Sequence, residues 1–347
     1  MMKKDRSIPL ALGVAALMGW GIARALAPRI CFEGKVVVIT GGSRGLGLVL
    51  ARQLCAEGAR VVLLARDQAE LQRAHDELVA AGGDVSILPC DLLERGQIEE
   101  AVRTILTHFG RVDVLINNAG IIEVGPLEHM ERPDFEKAMQ LHLWAPFTMM
   151  WEVIPHMRRS GGGRIVNVTS IGGKIAVPHL AAYCASKFAL VGLSDSLRAE
   201  LARDGIYVTT VAPGMMRTGS HVNAQFKGRH AAEFGWFATS NAMPLISMDA
   251  ERAAAKILGA CRRGRPEITL TLAARAAVIG NAIFPSVTGH MMKMVNAILP
   301  GPTDSSGHAT QSGGASRSHG GTPAWLTGLS DKAIQRNNES GGSNGSH

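Results

Sequence analysis

Tyr183 and Lys187 stand at i and i+4 in a stretch, about Leu180 to Ala202, whose pattern predicts a helix. At that spacing both side chains project from one helix face. An unperturbed phenol ionises near ~10, and an ammonium held beside it favours the phenolate, bringing its proton closer to use at neutral pH. Alone, Y-x-x-x-K is a weak signal that arises often by chance. Ser170 strengthens it, because it ends the apolar run Arg164 to Thr169, a predicted strand, and precedes Tyr183 by a short interval.

A second constellation lies near the beginning of the chain. Lys35 to Ile39 is rich in β-branched residues and reads as a buried strand. Thr40-Gly41-Gly42-Ser43-Arg44-Gly45-Leu46-Gly47 follows as a tight turn, and Leu46 to Glu57 reads as a helix. Free backbone N–H groups at a helix start, the macrodipole and missing side chains together make a site for an anion such as a pyrophosphate. Ala59 to Ala65 is the next buried strand and ends at Arg66-Asp67, about twenty residues past the turn. An acidic residue there would bind the ribose 2′-hydroxyl of NAD, and an arginine suits the 2′-phosphate of NADP. Arg66, with Arg44 in the glycine turn, supplies two guanidinium groups for a phosphate dianion, so NADP is the favoured cofactor. Asp67 leaves two further readings, a cap on the next helix or a ligand of the NAD ribose.

These pieces recur in order. Asp67 to Ala81 and Glu94 to Phe109 have helical spacing, and Val85 to Leu88 is a strand running into Asp91-Leu92. Val112 to Ile116 is a strand followed by Asn117-Asn118-Ala119-Gly120, and Tyr207 to Ala212 one followed by Pro213-Gly214-Met215-Met216-Arg217-Thr218. The chain from about Gly34 to Leu272 thus resembles the short-chain dehydrogenase/reductase family through T-G-x-x-x-G-x-G, N-N-A-G, the serine and Y-x-x-x-K, and P-G-x-x-x-T. The resemblance implies a Rossmann-like, doubly wound parallel α/β sheet of about seven strands, with the site at the carboxyl ends of the strands.

It also implies roles. Tyr183 would be the general acid/base, Lys187 would lower its pKa and hold the nicotinamide ribose, and Ser170 would donate to the substrate oxygen. Thr40, Gly41, Ser43, Arg44, Gly45, Leu46, Gly47, Arg66, Asp91, Leu92, Asn118, Ala119, Gly120, Pro213, Gly214, Met216 and Thr218 would contact the cofactor, Asp91 at the adenine amino group. One departure stands out within the predicted long helix Glu131 to Met157. The family's usual asparagine, which supports a water joining the lysine to solvent, is replaced by His142 in Leu141-His142-Leu143. Histidine can donate and accept, so His142 is either a catalytic relay or a satisfied core residue.

The 347 residues are 46% hydrophobic, ample for one large domain, and carry a net charge of +7. The basic residues are scattered without interleaved aromatics, which argues against nucleic-acid binding. Five dispersed cysteines and no histidine ligand spacing argue against disulfides and a metal site. Residues 1–33 form a basic, then apolar segment. Ile8 to Ala23 is free of charge, a little short of the ~20 residues of a spanning helix, and Arg24 near its end could snorkel and extend the span to Ala27. A membrane anchor with the catalytic domain facing the cytoplasm is the favoured reading, against a packed helix or a signal peptide ending at Ala25-Leu26-Ala27.

Residues 34–272 are then the catalytic domain. Gly219 to Leu245, with Phe226, Phe234, Trp236 and Phe237, would be a substrate lid whose aromatics either line an apolar pocket or pack on the body. Residues 273–300 are apolar and broken by Pro285, and either lie on a bilayer or cover the pocket. Residues 301–347 read as a disordered Gly/Ser-rich tail, with a short helix within Pro323 to Arg336. The expected activity is NADP(H)-dependent interconversion of a carbonyl and a secondary alcohol on an apolar, lipid-like substrate, with a homo-oligomer a further possibility. The rival readings are an inactive NADP-binding sensor or a membrane-associated scaffold.

Overall fold

The computed structural model describes residues 29–242, 247–318 and 333–339. Seven parallel strands form the central sheet: β1 (Val36–Thr40), β2 (Arg60–Ala65), β3 (Asp84–Pro89), β4 (Val114–Asn117), β5 (Gly163–Val168), β6 (Ile206–Ala212) and β7 (Glu267–Thr269). Their order across the sheet is β7-β6-β5-β4-β1-β2-β3. Sequence order reverses between β1 and β4, where Thr40 pairs with Asn117. In an open α/β sheet that switch point opens a crevice at the strands' carboxyl ends.

The longer helices that accompany the sheet up to residue 262 are α1 (Gly45–Ala56), α2 (Gln68–Ala80), α3 (Arg95–Phe109), α4 (Arg132–Met139), α5 (Ala145–Arg159), α6 (Ala181–Leu201), α7 (His230–Ala242) and α8 (Ala250–Arg262). β1 is buried along its whole length because helices press on both faces. Val37 and Ile39 join the core with α1 and α8, while Val36 and Val38 join that with α3 and α5. A strand that alternates between two cores reads as an unbroken apolar run.

The predicted helix over Glu131 to Met157 is two helices, α4 and α5, joined by a π-helical turn at Gln140–Trp144. The extra residue of such a turn redirects the side chains after it, and His142 lies within it. The seventh strand ends at Thr269, because Thr271 caps a helix by accepting from Ala274 N. That helix, α9 (Leu272–Ile283), is followed at Pro285 by α10 (Pro285–Ile298).

The tail departs from the expected disorder in two places. Gln311–Ser312 pairs antiparallel with Gln225–Phe226, and residues 333–339 pack on the glycine-rich turn. Backbone pairing and asparagine amides hold both segments, a means of ordering that composition does not reveal. The remainder of the short helix expected within Pro323 to Arg336 lies outside the described residues, as does the N-terminal apolar segment. Among the described residues no helix is long and apolar enough to cross a membrane.

Candidate active site

The glycine turn is built for close backbone approach. A Cβ on Gly47 would sit 2.0 Å from the Gly41 carbonyl oxygen, and Gly45 has φ +56°. Neither position admits a side chain without displacing the backbone or straining it. Asn118 locks the turn to β4: its Nδ2 donates to Thr40 O at 3.1 Å and Gly41 O at 3.0 Å, and its backbone N–H to Thr40 Oγ1 at 3.0 Å. Ala119 N also donates to Thr40 Oγ1, at 3.2 Å. The second asparagine works below the site, where Asn117 Nδ2 donates to Asn167 Oδ1 at 2.8 Å and ties β4 to β5.

A single cleft of about 950 Å³ runs from this turn to the Tyr183 helix. Gly41, Ser43, Arg44, Gly45, Leu46, Arg66, Asp91, Leu92, Asn118, Ala119, Gly120, Ser170, Tyr183, Lys187, Pro213, Gly214, Met216 and Thr218 all line it, so nearly every residue singled out from the sequence is gathered there. Thr40 and Gly47 lie behind the lining and shape it. A cradle that a single Cβ would fill, at a helix N-terminus with two arginines nearby, fits a dinucleotide.

At the adenosine end, Asp67 is a helix cap: its side chain accepts from Glu70 N at 2.8 Å. The capping reading of Asp67 is thus observed, and its side chain also lines the cleft. Arg66 is exposed at the end of β2. Arg44 is not free in the way the sequence suggests, since its Nη1 donates to Glu70 Oε1 at 2.8 Å, and Ser43 Oγ donates to Glu70 Oε2 at 3.1 Å. Asp91 accepts from Leu93 N at 2.9 Å, which steadies the turn after β3.

At the other end, Ser170 continues from β5 and Tyr183 projects from α6 toward it. Ser170 Oγ accepts from Gly172 N at 3.0 Å, and the Ser170 and Tyr183 side chains line the same stretch of cleft. Lys187 Nζ lies 5.8 Å from the centre of the Tyr183 ring and donates to Val168 O at 3.1 Å. Burial dominates both titrations. It pushes the Tyr183 phenol up to about 12, against the smaller opposing effect of Ser170, and the Lys187 ammonium down to about 7. The expected lowering of the phenol's pKa, by Lys187 together with the positive charge of an oxidised nicotinamide, belongs to the cofactor-bound site.

His142 is the residue that departs from the family pattern. It is fully enclosed, and both ring nitrogens are spoken for. Nε2 accepts from Ile121 N at 3.1 Å, so Nδ1 carries the hydrogen and donates to Ser186 Oγ at 2.8 Å. Ser186 Oγ in turn donates to Tyr183 O at 2.9 Å. Burial, and then the Lys187 charge, hold the imidazole well below its usual pKa, hence neutral. With both nitrogens engaged within the protein, the arrangement favours the satisfied-core reading over the relay. The ring stacks edge-on to Tyr183, with centroids 5.5 Å apart.

The lid aromatics divide. Phe226 and Phe234 are core residues with no exposed surface, whereas Trp236 and Phe237 line the cleft. Trp236 is held by Nε1 donating to Glu233 Oε2 at 2.7 Å, and Glu233 also pairs with His179.

Sequence reasoning missed the tail. Gly45 N donates to Asn337 O at 2.9 Å, and Asn338 Nδ2 donates to Ser43 O at 2.9 Å. Asn337 Nδ2 donates to Thr218 O at 3.1 Å. Glu339 is buried at the cleft wall, where Asn223 Nδ2 donates to it and a Cβ on Gly45 would lie 2.5 Å from its Oε1. Three polar residues in succession, Asn337-Asn338-Glu339, are the only signal the sequence offered.

Comparison with known proteins agrees with this geometry. A family model described as short chain dehydrogenase matches residues 35–227. The chain belongs to that family. It is 38% identical over 221 residues to "Dehydrogenase/reductase SDR family protein 7-like" of Drosophila melanogaster, covering 62% of this chain and 68% of that protein. It is 37% identical over 188 residues to "Fatty acyl-CoA reductase" of Acinetobacter baylyi, covering 54% of this chain and 64% of that one. Among solved structures, a metagenomic short-chain oxidoreductase in complex with NADP shares 32% identity with a TM-score of 0.57, covering 70% of this chain and 98% of that chain. The protein is thus an oxidoreductase of the short-chain dehydrogenase family, with a Rossmann-like fold.

Proposed function

We propose that this short-chain dehydrogenase uses NADP(H) to interconvert a carbonyl and a secondary alcohol on an apolar, lipid-like substrate. The observation that carries the reading is the gathering of Ser170, Tyr183 and Lys187, the last one helical turn further along α6, in one cleft continuous with the Arg44 and Arg66 end. The bound dinucleotide supplies or accepts the hydride at the carbonyl carbon. The chain's own residues hold the dinucleotide and manage the proton. Ser170 donates to the substrate oxygen, where negative charge develops. Tyr183, neutral with its pKa about 12, keeps its proton at physiological pH and delivers it to that oxygen in reduction. Lys187 on the same helix face offers positive charge to the phenolate left behind and donors to the ribose. His142 is a positioning residue: through Ser186 it bears on the Tyr183 backbone, and it holds Ile121 at the cleft wall.

NADP over NAD is supported by Arg66 at the end of β2, by Asp67 being committed as a cap, and by the NADP complex of the metagenomic relative. The apolar substrate class is supported by Ile121, Ile122, Val177, Leu180, Trp236 and Phe237 along the substrate end, and by the name of the Acinetobacter relative. Membrane association through residues 8–27, with the catalytic domain on the cytoplasmic side, and self-association belong to the same proposal. Exposed Trp144, Trp151 and Phe188 support the second. The test is to supply purified protein with NADPH or NADH and a panel of ketoacyl, sterol and long-chain-base carbonyls, following cofactor oxidation. Turnover with NADPH that Tyr183→Phe abolishes supports the proposal. No turnover on any member of the panel, or equal turnover by the variant, counts against it.

A further inference from the structure

The helices α9 and α10 break the usual rule of a globular surface. Their apolar residues recur at helical spacing, Leu272, Ile279 and Ile283 on α9, then Val287, Met291, Met294 and Ile298 on α10, so each helix has one apolar stripe. In a globular helix that stripe faces the core. Here Leu272 is 85%, Met294 72% and Ile298 83% exposed, and Phe284 at the bend is 60% exposed. Ala274 is the one buried side chain of α9, and α10 has none. Two short helices so poorly packed have little to hold them in water, because helical stability in proteins comes mainly from burying the apolar face.

Charge indicates what covers them. No aspartate or glutamate lies between Leu272 and Leu299, while Arg275, His290 and Lys293 all do, and all three are exposed. A protein partner is met by a rim of mixed polar and charged groups. Apolar stripes flanked by basic residues alone complement an anionic lipid surface. With 12 and 14 residues, the helices are roughly 18 and 21 Å long at ~1.5 Å per residue. That is well short of the ~30 Å hydrocarbon core, so they suit lying in the interface rather than crossing it.

We propose that the α9–α10 hairpin is a docking surface for an anionic lipid bilayer, separate from any contribution of the N-terminal segment. Its root is fixed to the rim of the cleft. A Cβ on Gly214 would touch Ala274 Cβ at 3.2 Å, and Asn281 Nδ2 donates to Lys174 O at 3.3 Å, in the loop that follows Ser170. A bilayer seated on the hairpin therefore lies beside the end of the cleft that carries Ser170 and Tyr183. The docking goes beyond the proposed reaction, and its test uses no turnover.

The full chain is reconstituted with vesicles of phosphatidylcholine and phosphatidylserine (70:30) containing a trace of lipid with a photoactivatable group in its acyl chain. Adducts are then mapped by mass spectrometry. We expect adducts within residues 272–298 in addition to any within 8–27. Ile283→Glu with Met294→Glu, both at exposed positions, should reduce the hairpin adducts at least tenfold while leaving the thermal unfolding midpoint and the 8–27 adducts unchanged. Phosphatidylcholine alone should give a lower hairpin yield. Adducts confined to 8–27, or a hairpin cross-linked to a second copy or to the chain's own N-terminal segment instead of lipid, would overturn the proposal. Equal hairpin yields in the two vesicle types would overturn its anionic selectivity.

Discussion

Glu339 Oε2 lies 3.7 Å from Arg44 Nε, so a carboxylate near the end of the chain faces a guanidinium of the glycine-rich turn. The same tail takes the Gly45 N–H, a donor that a helix N-terminus would otherwise offer to a phosphate. Burial raises Glu339 to about 7, opposed by Arg44 and Asn223 and reinforced by Glu70. Because its pKa is raised above the unfolded value, the docked tail binds a proton more readily than the free one. Docking is therefore strongest at acid pH and weakens as pH rises toward about 7.

Ending the chain at Lys332 should accordingly tighten NADPH binding by about fivefold or more, since a charge-assisted bond is worth about 1.5–3 kcal/mol. The gap between truncated and full chains should be wider at pH 6 than at pH 8. Fluorescence titration of NADPH at both values checks this. Weaker binding by the truncated chain would mean that the tail holds the cofactor instead of competing with it.

Arg66 and Arg44 are not equally placed to meet a cofactor phosphate. Arg44 is already engaged by Glu70, while Arg66 has an exposed side chain on the cleft wall. Arg66→Asp should lower NADPH affinity at least tenfold with a much smaller effect on NADH. Glu70→Gln, which loosens the hold on Arg44, should shift the preference further toward NADPH. Paired Kd measurements for the two cofactors decide the point, and equal losses for both would remove Arg66 from the 2′-phosphate site.

The sheet, the place of the site at its strands' carboxyl ends and most of the cleft lining were legible because each rests on local pattern. Val36 to Ile39 is apolar on both faces, Gly47 allows no Cβ, and Tyr183 and Lys187 are one turn apart. What the sequence hid depends on partners far along the chain. Glu70 is an unremarkable helix residue until Ser43 and Arg44 reach it. Glu339 sits in a stretch whose glycine and serine content predicts disorder, yet Asn337 and Asn338 bind backbone groups of the turn. The raised pKa of Tyr183 was illegible for a different reason: spacing showed the neighbouring ammonium but could not show the depth of burial. His142 read as an even choice because one residue type serves both roles, and only the Ile121 and Ser186 contacts distinguish them.

Tyr183→Phe removes the proton donor and leaves the ring to pack. NADPH should still bind, and kcat for reduction should fall about 10²–10⁴-fold. Lys187 adds a pH signature. Its folded pKa, about 7, lies below the ordinary value, so between these limits the unfolded chain binds the extra proton. Stability should thus rise with pH from about 7 toward the ordinary lysine range, because the cost of burying the charge disappears. Lys187→Met should flatten that rise in denaturant titrations across this window, and should also weaken NADPH binding. A wild-type slope retained by the variant would place the titration elsewhere.

His142→Ala separates positioning from relay. The substitution leaves the Ile121 N–H without its buried acceptor, at a cost of about 1–3 kcal/mol, and takes from Ser186 the bond it accepts while leaving the one it donates to Tyr183 O. The thermal midpoint should therefore fall by several degrees. Activity per folded molecule should fall less than tenfold, because neither nitrogen of His142 reaches Lys187 or the reacting oxygen in the observed network. The pH profile of reduction should keep its wild-type shape, since the neutral imidazole has no proton to lose in the working range. His142→Asn should recover some stability if its amide reaches either partner. A hundredfold loss of kcat with an unchanged midpoint, or an altered pH profile restored by His142→Asn, would return the histidine to the proton path.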